Sequence, residues 1–301
     1  MGANDTLLVV GYGSLLSGHG LLTVRRQGKS RLHARQAFPL AVINGRRGLA
    51  KPTSHGYYFA MDIEPLNPAR PIRARRGRRA AANEFGAMGL EFERRWARDL
   101  ARREEYDPDM FEELIARADH AGQSVGEYLL EIARASGFEP LAYRRALARL
   151  LGYTSPGYIF HPLPLEDGPV ALIAIGSGFE GSGDPAVPSR RQQAAIASLM
   201  TLPQAMQFTG AVPIEPASQL GYFIECLLGG MHGLWVGDLI AGLETAPELQ
   251  LSLRRLLAET AASEREHFLT ASGLSPALYQ ERFGAVDDCG LAELLPANHS
   301  R

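Results

Sequence analysis

The sequence predicts an α+β protein, with a mixed β-sheet formed before residue 176 and a mostly helical segment after it. Short apolar runs bounded by glycine, proline or asparagine recur as far as Ile175, which is typical of strands. From Glu93, and again beyond Arg190, apolar residues instead recur at the spacing of helices that bury one face. The sheet should therefore be flanked by helices and followed by a helical extension.

The strand predictions rest on apolar runs and on the turn signals between them. Residues 6–10 form a continuous apolar run, as in a strand buried on both faces. A second strand is predicted within residues 31–44, ending at the Asn44-Gly45 turn signal. Further strands are predicted at residues 57–63, 87–92, 157–160 and 170–175, with an Asp167-Gly168 hairpin signal between the last two.

The helix predictions follow apolar spacing interrupted by proline and glycine. A helical pattern begins at Glu93 and must break at Pro108, because proline cannot continue a helix interior. The remaining predicted helices cover residues 125–135, 141–151, 190–200, 218–228, 235–243 and 247–270, with a short helical segment in the tail.

Composition and charge exclude several classes of function. The 301 residues carry a formal net charge of −2, which gives no reason to expect nucleic acid or an anionic membrane as a partner. No apolar stretch reaches the ~18 residues of a membrane span, and we expect a cytoplasmic protein with no membrane partner. The eight histidines show no paired ligand spacing, so no metal site is predicted.

The most informative segment is Val-Val-Gly-Tyr-Gly-Ser-Leu-Leu at residues 9–16, which begins with the last two residues of the first predicted strand. Gly11 and Gly13 leave the backbone free to adopt positive φ, which would allow a tight turn directly after a buried strand. Successive N–H groups in such a turn can converge into an anion-binding nest. The alternative interpretation is an ordinary glycine-containing turn between a strand and a loop.

This segment resembles the N-terminal signature of the γ-glutamylcyclotransferase superfamily, and its ChaC-type branch carries a very similar Gly-Tyr-Gly-Ser-Leu. The resemblance implies a small mixed sheet or barrel. It also implies that the loop binds the glutamyl α-carboxylate through Tyr12, Gly13, Ser14 and Leu15. Residues 1–245 would form the domain, with a helical insertion at about 107–152. Residues 246–301 would be the helical extension.

The second half of the family pattern is an acidic residue after a helix, in a context like Arg-Glu-x-Tyr. Arg103-Glu104-Glu105-Tyr106 is similar to it. The resemblance implies that Glu104 is the catalytic acid–base group and that Tyr106 belongs to the substrate site. Because the acidic residue is doubled, Glu105 remains an alternative base. The other interpretation is a charged helix end facing solvent.

The activity implied by the resemblance is that of a lyase acting on a γ-glutamyl amide. The substrate's α-amine attacks its own γ-carbonyl, and the products are 5-oxoproline and an amine or peptide. Glutathione is one candidate among such small-molecule substrates. The reaction needs a proton acceptor and an oriented substrate, but no metal or organic cofactor. The alternative is an inactive binding protein that has kept the fold.

The residues themselves allow three other interpretations to be tested. A dinucleotide-binding fingerprint fails because Leu16 stands where the third glycine of G-x-G-x-x-G belongs. A serine-hydrolase elbow fails for the same reason, because Leu16 replaces its closing glycine. The arginine-rich residues 70–79 are predicted to be an exposed loop between strands, with an anion-binding loop as the alternative.

Overall fold

This computed structural model describes residues 5–18, 21, 32–52, 59–67, 70–78, 81, 83–104, 106–152, 158–166, 168–176, 225–234 and 247–283. The predicted α+β class is confirmed. The strands of this part of the chain are β1 (Thr6–Gly11), β2 (Ala34–Ile43), β3 (Gly45–Pro52), β4 (Phe59–Pro65), β5 (Arg73–Arg76), β6 (Glu84–Glu93), β7 (Ile159–Pro164) and β8 (Val170–Ile175). The α-helices are α1 (Ala97–Arg103), α2 (Pro108–His120), α3 (Val125–Ala135), α4 (Pro140–Leu151), α5 (Pro247–Ser272) and α6 (Pro276–Phe283). Short 3-10 turns occupy Ser14–Leu16, Arg94–Trp96 and Gly229–His232.

Six strands form one mixed sheet in the order β5-β2-β6-β1-β8-β7. Within it β1 runs parallel to β8 and antiparallel to β6, so Val9 lies opposite Leu172 on one side and Leu90 on the other. The central position of β1 explains its apolar sequence, because both of its faces are covered: Val9 and Val10 are buried. The predicted first strand is therefore confirmed.

The sheet curls until its two edge strands approach each other. Leu165, directly after β7, forms a parallel bridge with Ala74 of β5. The Glu166 N–H donates a 2.9 Å hydrogen bond to the carbonyl of Ala74. Because β5 and β7 stand at opposite ends of the strand order, this contact requires a strongly curved sheet rather than a flat one.

The predicted turn at Asn44-Gly45 is confirmed, and it leads into a strand that the sequence did not reveal. Asn44 adopts φ 61°, and its side-chain amide donates to the carbonyl of Arg70 at 2.8 Å. The next strand, β3, pairs with β4 in a separate two-stranded sheet. We did not predict β3 because its sequence, GRRGLAKP, lacks the alternation of apolar and polar residues that marks a strand.

The prediction of an exposed loop at residues 70–79 is wrong at its centre. Arg73–Arg76 is the edge strand β5, which pairs with β2 so that Ala74 lies opposite Val42. Ala74 is fully buried, whereas Arg73 and Arg76 face solvent. One small inward side chain among arginines gives too little apolar signal for prediction, and the pairing is decided by the neighbouring strand.

The helices α2, α3 and α4 each begin at a residue whose side chain caps the first turn. The Asp107 carboxylate accepts the N–H of Asp109 at 2.8 Å at the start of α2, and Pro108 occupies the first turn. At the start of α3, Ser124 and Glu127 form a capping box. The predicted helices at 125–135 and 141–151 are confirmed, the second one residue longer at its start.

Two further segments test the remaining helix predictions. Residues 247–270 are helical as predicted, within α5, and the short tail segment is α6. Residues 225–228 are helical, whereas the predictions at 190–200 and 235–243 lie outside the described residues. Phe268 of α5 and Phe283 of α6 are buried in the same hydrophobic cluster as Val9 of β1. The two C-terminal helices therefore share a core with the sheet.

Candidate functional site

The motif loop, defined here as Tyr12–Gly18, turns back on the strand that precedes it. The Leu16 N–H donates to the Gly13 carbonyl at 2.9 Å, which closes the turn. Gly13 has φ −118° and ψ −127°, so the expected positive φ is wrong. The requirement for glycine is instead one of space at Gly11, where a Cβ atom would lie 2.8 Å from the Cβ of Leu15.

Tyr12 ties the motif loop to the neighbouring strand. Its ring is 5% exposed, and its hydroxyl donates a hydrogen bond to the carbonyl of Ala174 in β8. Ala174 in turn lies opposite Phe160 of β7. Tyr12 therefore fixes the loop against the end of the sheet at which β1 ends.

Arg47 is a buried cation next to the motif loop, and sequence reasoning missed it. Its Nη1 donates to the carbonyls of Tyr12 at 3.2 Å and Gly86 at 2.7 Å, and only 1% of the residue is exposed. Its guanidinium lies 5.3 Å from the centre of the Phe85 ring. Residues two apart in a strand lie on the same face, and Gly45 faces the same Phe85 ring as Arg47. This spacing is the sequence signal that could have indicated the burial of Arg47.

A buried polar cluster supports the far end of the motif loop. The Gly18 N–H donates to Oε1 of Glu264 at 2.6 Å, and His232 Nε2 lies 2.9 Å from the same oxygen. His232 Nδ1 lies 2.8 Å from the Tyr279 hydroxyl. With its proton on Nε2, His232 donates to Glu264 and accepts from Tyr279. Burial raises the pKa of Tyr279 above its usual range, which keeps the phenol protonated as a donor.

The backbones of α5 and of the 3-10 turn at Gly229–His232 approach the motif loop closely. A Cβ atom at Gly18 would lie 2.0 Å from the backbone nitrogen of Phe268 in α5. At Gly229, a Cβ atom would lie 2.2 Å from the Cβ of Leu16. These contacts leave no signal in the sequence, because the partners are far apart along the chain and the glycines stand in no recognisable turn.

Glu104 is half-buried and caps the C-terminal end of α1. Its N–H donates to the Leu100 carbonyl at 3.0 Å. The helix α1 follows β6, which pairs antiparallel with β1. Glu105, the alternative base, lies outside the described residues, as does the Ser14 side chain.

Tyr106 is built into the core beside Glu104. It is 3% exposed, and its ring centre lies 5.2 Å from that of Phe160 and 6.1 Å from that of Phe111. Burial raises the pKa of the Tyr106 phenol well above its usual range, Asp107 acts in the same direction, and Arg144 opposes them. Tyr106 is therefore a neutral phenol at physiological pH, suited to hydrogen bonding rather than to proton abstraction.

The two predicted halves of the site are linked through adjacent strands. Tyr12 bonds to Ala174, Ala174 pairs with Phe160, and Phe160 packs against Tyr106. Of the remaining predicted residues, Gly13 and Leu15 are buried within the loop turn. Leu15 shares the hydrophobic core with Tyr106. The motif loop and the segment after α1 therefore adjoin the same pair of strands, β7 and β8.

In the part of the chain that the structure describes, no group of three or more histidine, cysteine, aspartate or glutamate side chains is arranged to hold a metal ion. Nor does any helix described here combine the length and apolar character needed to cross a bilayer.

Comparison with known proteins gives no relative from which residue roles could be transferred. No protein-family model, curated protein or solved structure matches this chain.

Proposed function

We propose that this chain is a lyase of the γ-glutamylcyclotransferase type, which converts a γ-glutamyl amide into 5-oxoproline and a free amine or peptide. The observation that carries the proposal is the link between the motif loop and Tyr106, through Ala174 and Phe160. It joins the two sequence elements that resemble the family's substrate loop and its acidic residue. Those elements are more than 80 residues apart in the chain.

The curvature of the sheet supports the same proposal. A γ-glutamylcyclotransferase-like fold is a small mixed sheet that closes toward a barrel. The approach of β5 to β7 at Ala74 and Leu165 gives this sheet that character. The motif loop follows its central strand, where a ligand would be surrounded by neighbouring strand ends.

In the proposed reaction the motif loop holds the substrate and Glu104 moves the proton. The loop's N–H groups bind the glutamyl α-carboxylate, because the first N–H groups of a 3-10 turn have no partner within the turn. Glu104 takes a proton from the α-amine as its nitrogen bonds to the carbon of the γ-carbonyl. The bond from that carbon to the departing nitrogen then breaks, and Glu104 returns the proton to the departing amine.

Arg47 gives the proposed pocket a fixed positive charge. Its guanidinium is held by carbonyls of the loop and of β6, and it faces an aromatic ring on a third side. A buried cation beside the loop favours an anionic ligand there, since Coulomb interactions are strong where water is excluded. The α-carboxylate of a γ-glutamyl compound is such a ligand.

The direct test is release of 5-oxoproline from a panel of γ-glutamyl compounds that includes glutathione. A matched α-glutamyl peptide is the control substrate, because its γ-carboxylate is not an amide and offers no leaving amine. We expect 5-oxoproline from one or more γ-glutamyl compounds and none from the α-glutamyl control. Absence of release across the panel would overturn the proposed activity.

A second candidate function is ligand binding without turnover on the same fold. It is favoured by the burial of Leu15 and Tyr12, because a loop so firmly packed can bind without rearranging. Calorimetric binding of γ-glutamyl compounds, without any release of 5-oxoproline, would identify this function.

A further inference from the structure

The buried cluster of Glu264, His232 and Tyr279 contacts the motif loop but contributes nothing to the proton transfers just described. Both Glu264 and His232 have side chains that are 0% exposed. Among the described residues, this cluster contacts the loop through the hydrogen bond from the Gly18 N–H to Glu264 Oε1. Because this contact is made to a backbone N–H, we expect the effect of the cluster on the loop to pass through the backbone.

We propose that Glu264 is a positioning residue that holds the motif loop in its binding conformation through the N–H of Gly18. A hydrogen bond of 2.6 Å to a carboxylate is short, as expected for a charge-assisted bond. His232 fixes the carboxylate, since its Nε2 shares Oε1, and the Tyr279 hydroxyl fixes the imidazole from the opposite nitrogen. This inference rests on the proposed function for the identity of the ligand that the loop binds. The hydrogen bonds of the cluster do not depend on that function.

The aromatic packing around the imidazole makes this arrangement rigid. The His232 ring lies 4.0 Å from the Phe268 ring centre, with an angle of 31° between the planes. Phe268 belongs to the same helix as Glu264, one turn further along, and its backbone abuts Gly18. A shift of α5 would therefore move the carboxylate and the loop together.

The consequence for function is a specific division between binding and chemistry. The motif loop is proposed to bind the α-carboxylate, which carries the same charge in substrate and transition state. Misplacing the loop should thus weaken the binding of the substrate and of the transition state alike, which raises KM and leaves kcat nearly unchanged. Loss of the proton-transfer group Glu104 should do the opposite.

The test compares Glu264→Ala, Glu264→Gln and Ser272→Ala with the wild-type chain. Glutamine keeps an acceptor oxygen at the same place, so it should partly restore what alanine removes. Ser272 is a matched control, because it is fully buried in the same helix, eight residues beyond Glu264, and its hydroxyl bonds to the Phe268 carbonyl at 2.7 Å. For Glu264→Ala we expect KM to rise about tenfold with kcat within about twofold.

A spectroscopic measurement makes the geometry testable apart from activity. Ser17-Gly18 is one of five serine–glycine steps in the sequence, so labelling serine carbonyl carbon and glycine nitrogen reduces the amide spectrum to five signals. In the wild type the Gly18 amide proton should lie far downfield. It should move upfield in Glu264→Ala, return partway in Glu264→Gln, and stay in place in Ser272→Ala.

The outcomes separate this inference from the proposed function. An unmoved Gly18 signal in both Glu264 variants would overturn the inference, as would an equal rise in KM for Ser272→Ala. A moved signal with unchanged KM would overturn the positioning role. If Glu264→Ala does not fold, Glu264→Gln decides by the same two measurements. If the wild type releases no 5-oxoproline, the proposed function fails and the Gly18 signal alone decides whether Glu264 holds the loop.

Discussion

A Cβ atom placed on Gly18 would lie 2.0 Å from the backbone nitrogen of Phe268 and 2.2 Å from its α-carbon. The obstructing atoms belong to the backbone of α5, which has no side-chain freedom with which to yield. The end of the motif loop and a helix near the C-terminus are thus in direct main-chain contact across 250 positions of sequence.

Gly18→Ala should therefore destabilise the protein severely. The added methyl group must displace either the loop or α5, at a cost of about 3 kcal/mol or more in the free energy of unfolding. Gly168→Ala is the matched control, because a Cβ atom there would meet nothing within 4 Å. Urea denaturation of both variants checks this expectation. Equal midpoints for Gly18→Ala and wild type would show that the loop and α5 are not in contact.

Glu104→Gln should preserve the fold and abolish most of the proposed turnover. An amide has nearly the shape of a carboxylate but does not accept a proton, so kcat should fall by about 10²–10⁴-fold with KM little changed. The measurement is 5-oxoproline release at saturating substrate, beside a thermal melt. Glu105→Gln is the paired variant. Loss of turnover there, with normal turnover in Glu104→Gln, would transfer the role to Glu105.

Arg47→Met should lower both the stability of the loop and the affinity for an anionic ligand. The carbonyls of Tyr12 and Gly86 lose a buried donor, which should lower the free energy of unfolding by about 1–3 kcal/mol. Arg46→Met is the control, since Arg46 is the half-buried neighbour on the opposite face of β3. Denaturation and calorimetric titration with 5-oxoproline test both effects. Identical affinity in the two variants would exclude a role for Arg47 in ligand binding.

The arginines of β5 should differ sharply in their contribution to stability. Arg75 makes two hydrogen bonds to the Glu84 carboxylate, at 3.1 and 2.8 Å, and that carboxylate is only 8% exposed. Arg73, 55% exposed, meets Glu166 at 3.6 Å. We expect Arg75→Gln to cost about 1–2 kcal/mol in unfolding free energy and Arg73→Gln less than about 0.5 kcal/mol.

Thermal melts of the two arginine variants check this difference. Neutralising the whole arginine-rich segment should lower the melting temperature, because Arg75 is paired with the nearly buried carboxylate of Glu84. Similar small effects for Arg73→Gln and Arg75→Gln would show that the ion pair with Glu84 contributes nothing measurable.

Stability should fall as the pH drops below neutral, because His161 is buried uncharged. Burial lowers the pKa of His161 from 6.5 to about 4, while its hydrogen bond to the Pro162 carbonyl, at 2.8 Å, acts the other way. Between these two values the unfolded chain binds more protons than the folded one, so acid favours unfolding. Between pH 7 and pH 5 this group should remove about 2 kcal/mol of stability.

The measurement is denaturation of wild type and His161→Asn at pH 7 and pH 5. Asparagine does not titrate in this range and keeps an N–H donor near the position of Nδ1. The variant should therefore lose less stability on acidification than the wild type. The same loss in both proteins would show that another group is responsible.

Local sequence determined the elements whose signal lies within a few residues. The apolar run of β1, the Asn44 turn, the Asp107 cap and the Ser124–Glu127 capping box each specify their own structure, and all were predictable. The motif loop and the Glu104 segment were likewise identified from sequence as the candidate site. At Asp107 and at Ser124–Glu127 the hydrogen bonds that fix the backbone join near neighbours in the chain.

The tertiary structure alone decided the contacts between distant segments. The edge strand β5 forms because β2 offers it a partner, although arginines dominate its sequence. Arg47 is buried where the loop and β6 supply carbonyls for it. Glu264 reaches Gly18 only because α5 packs against the loop. A charged residue carries no local mark of such burial, since its partners lie elsewhere in the chain and the fold must first bring them together.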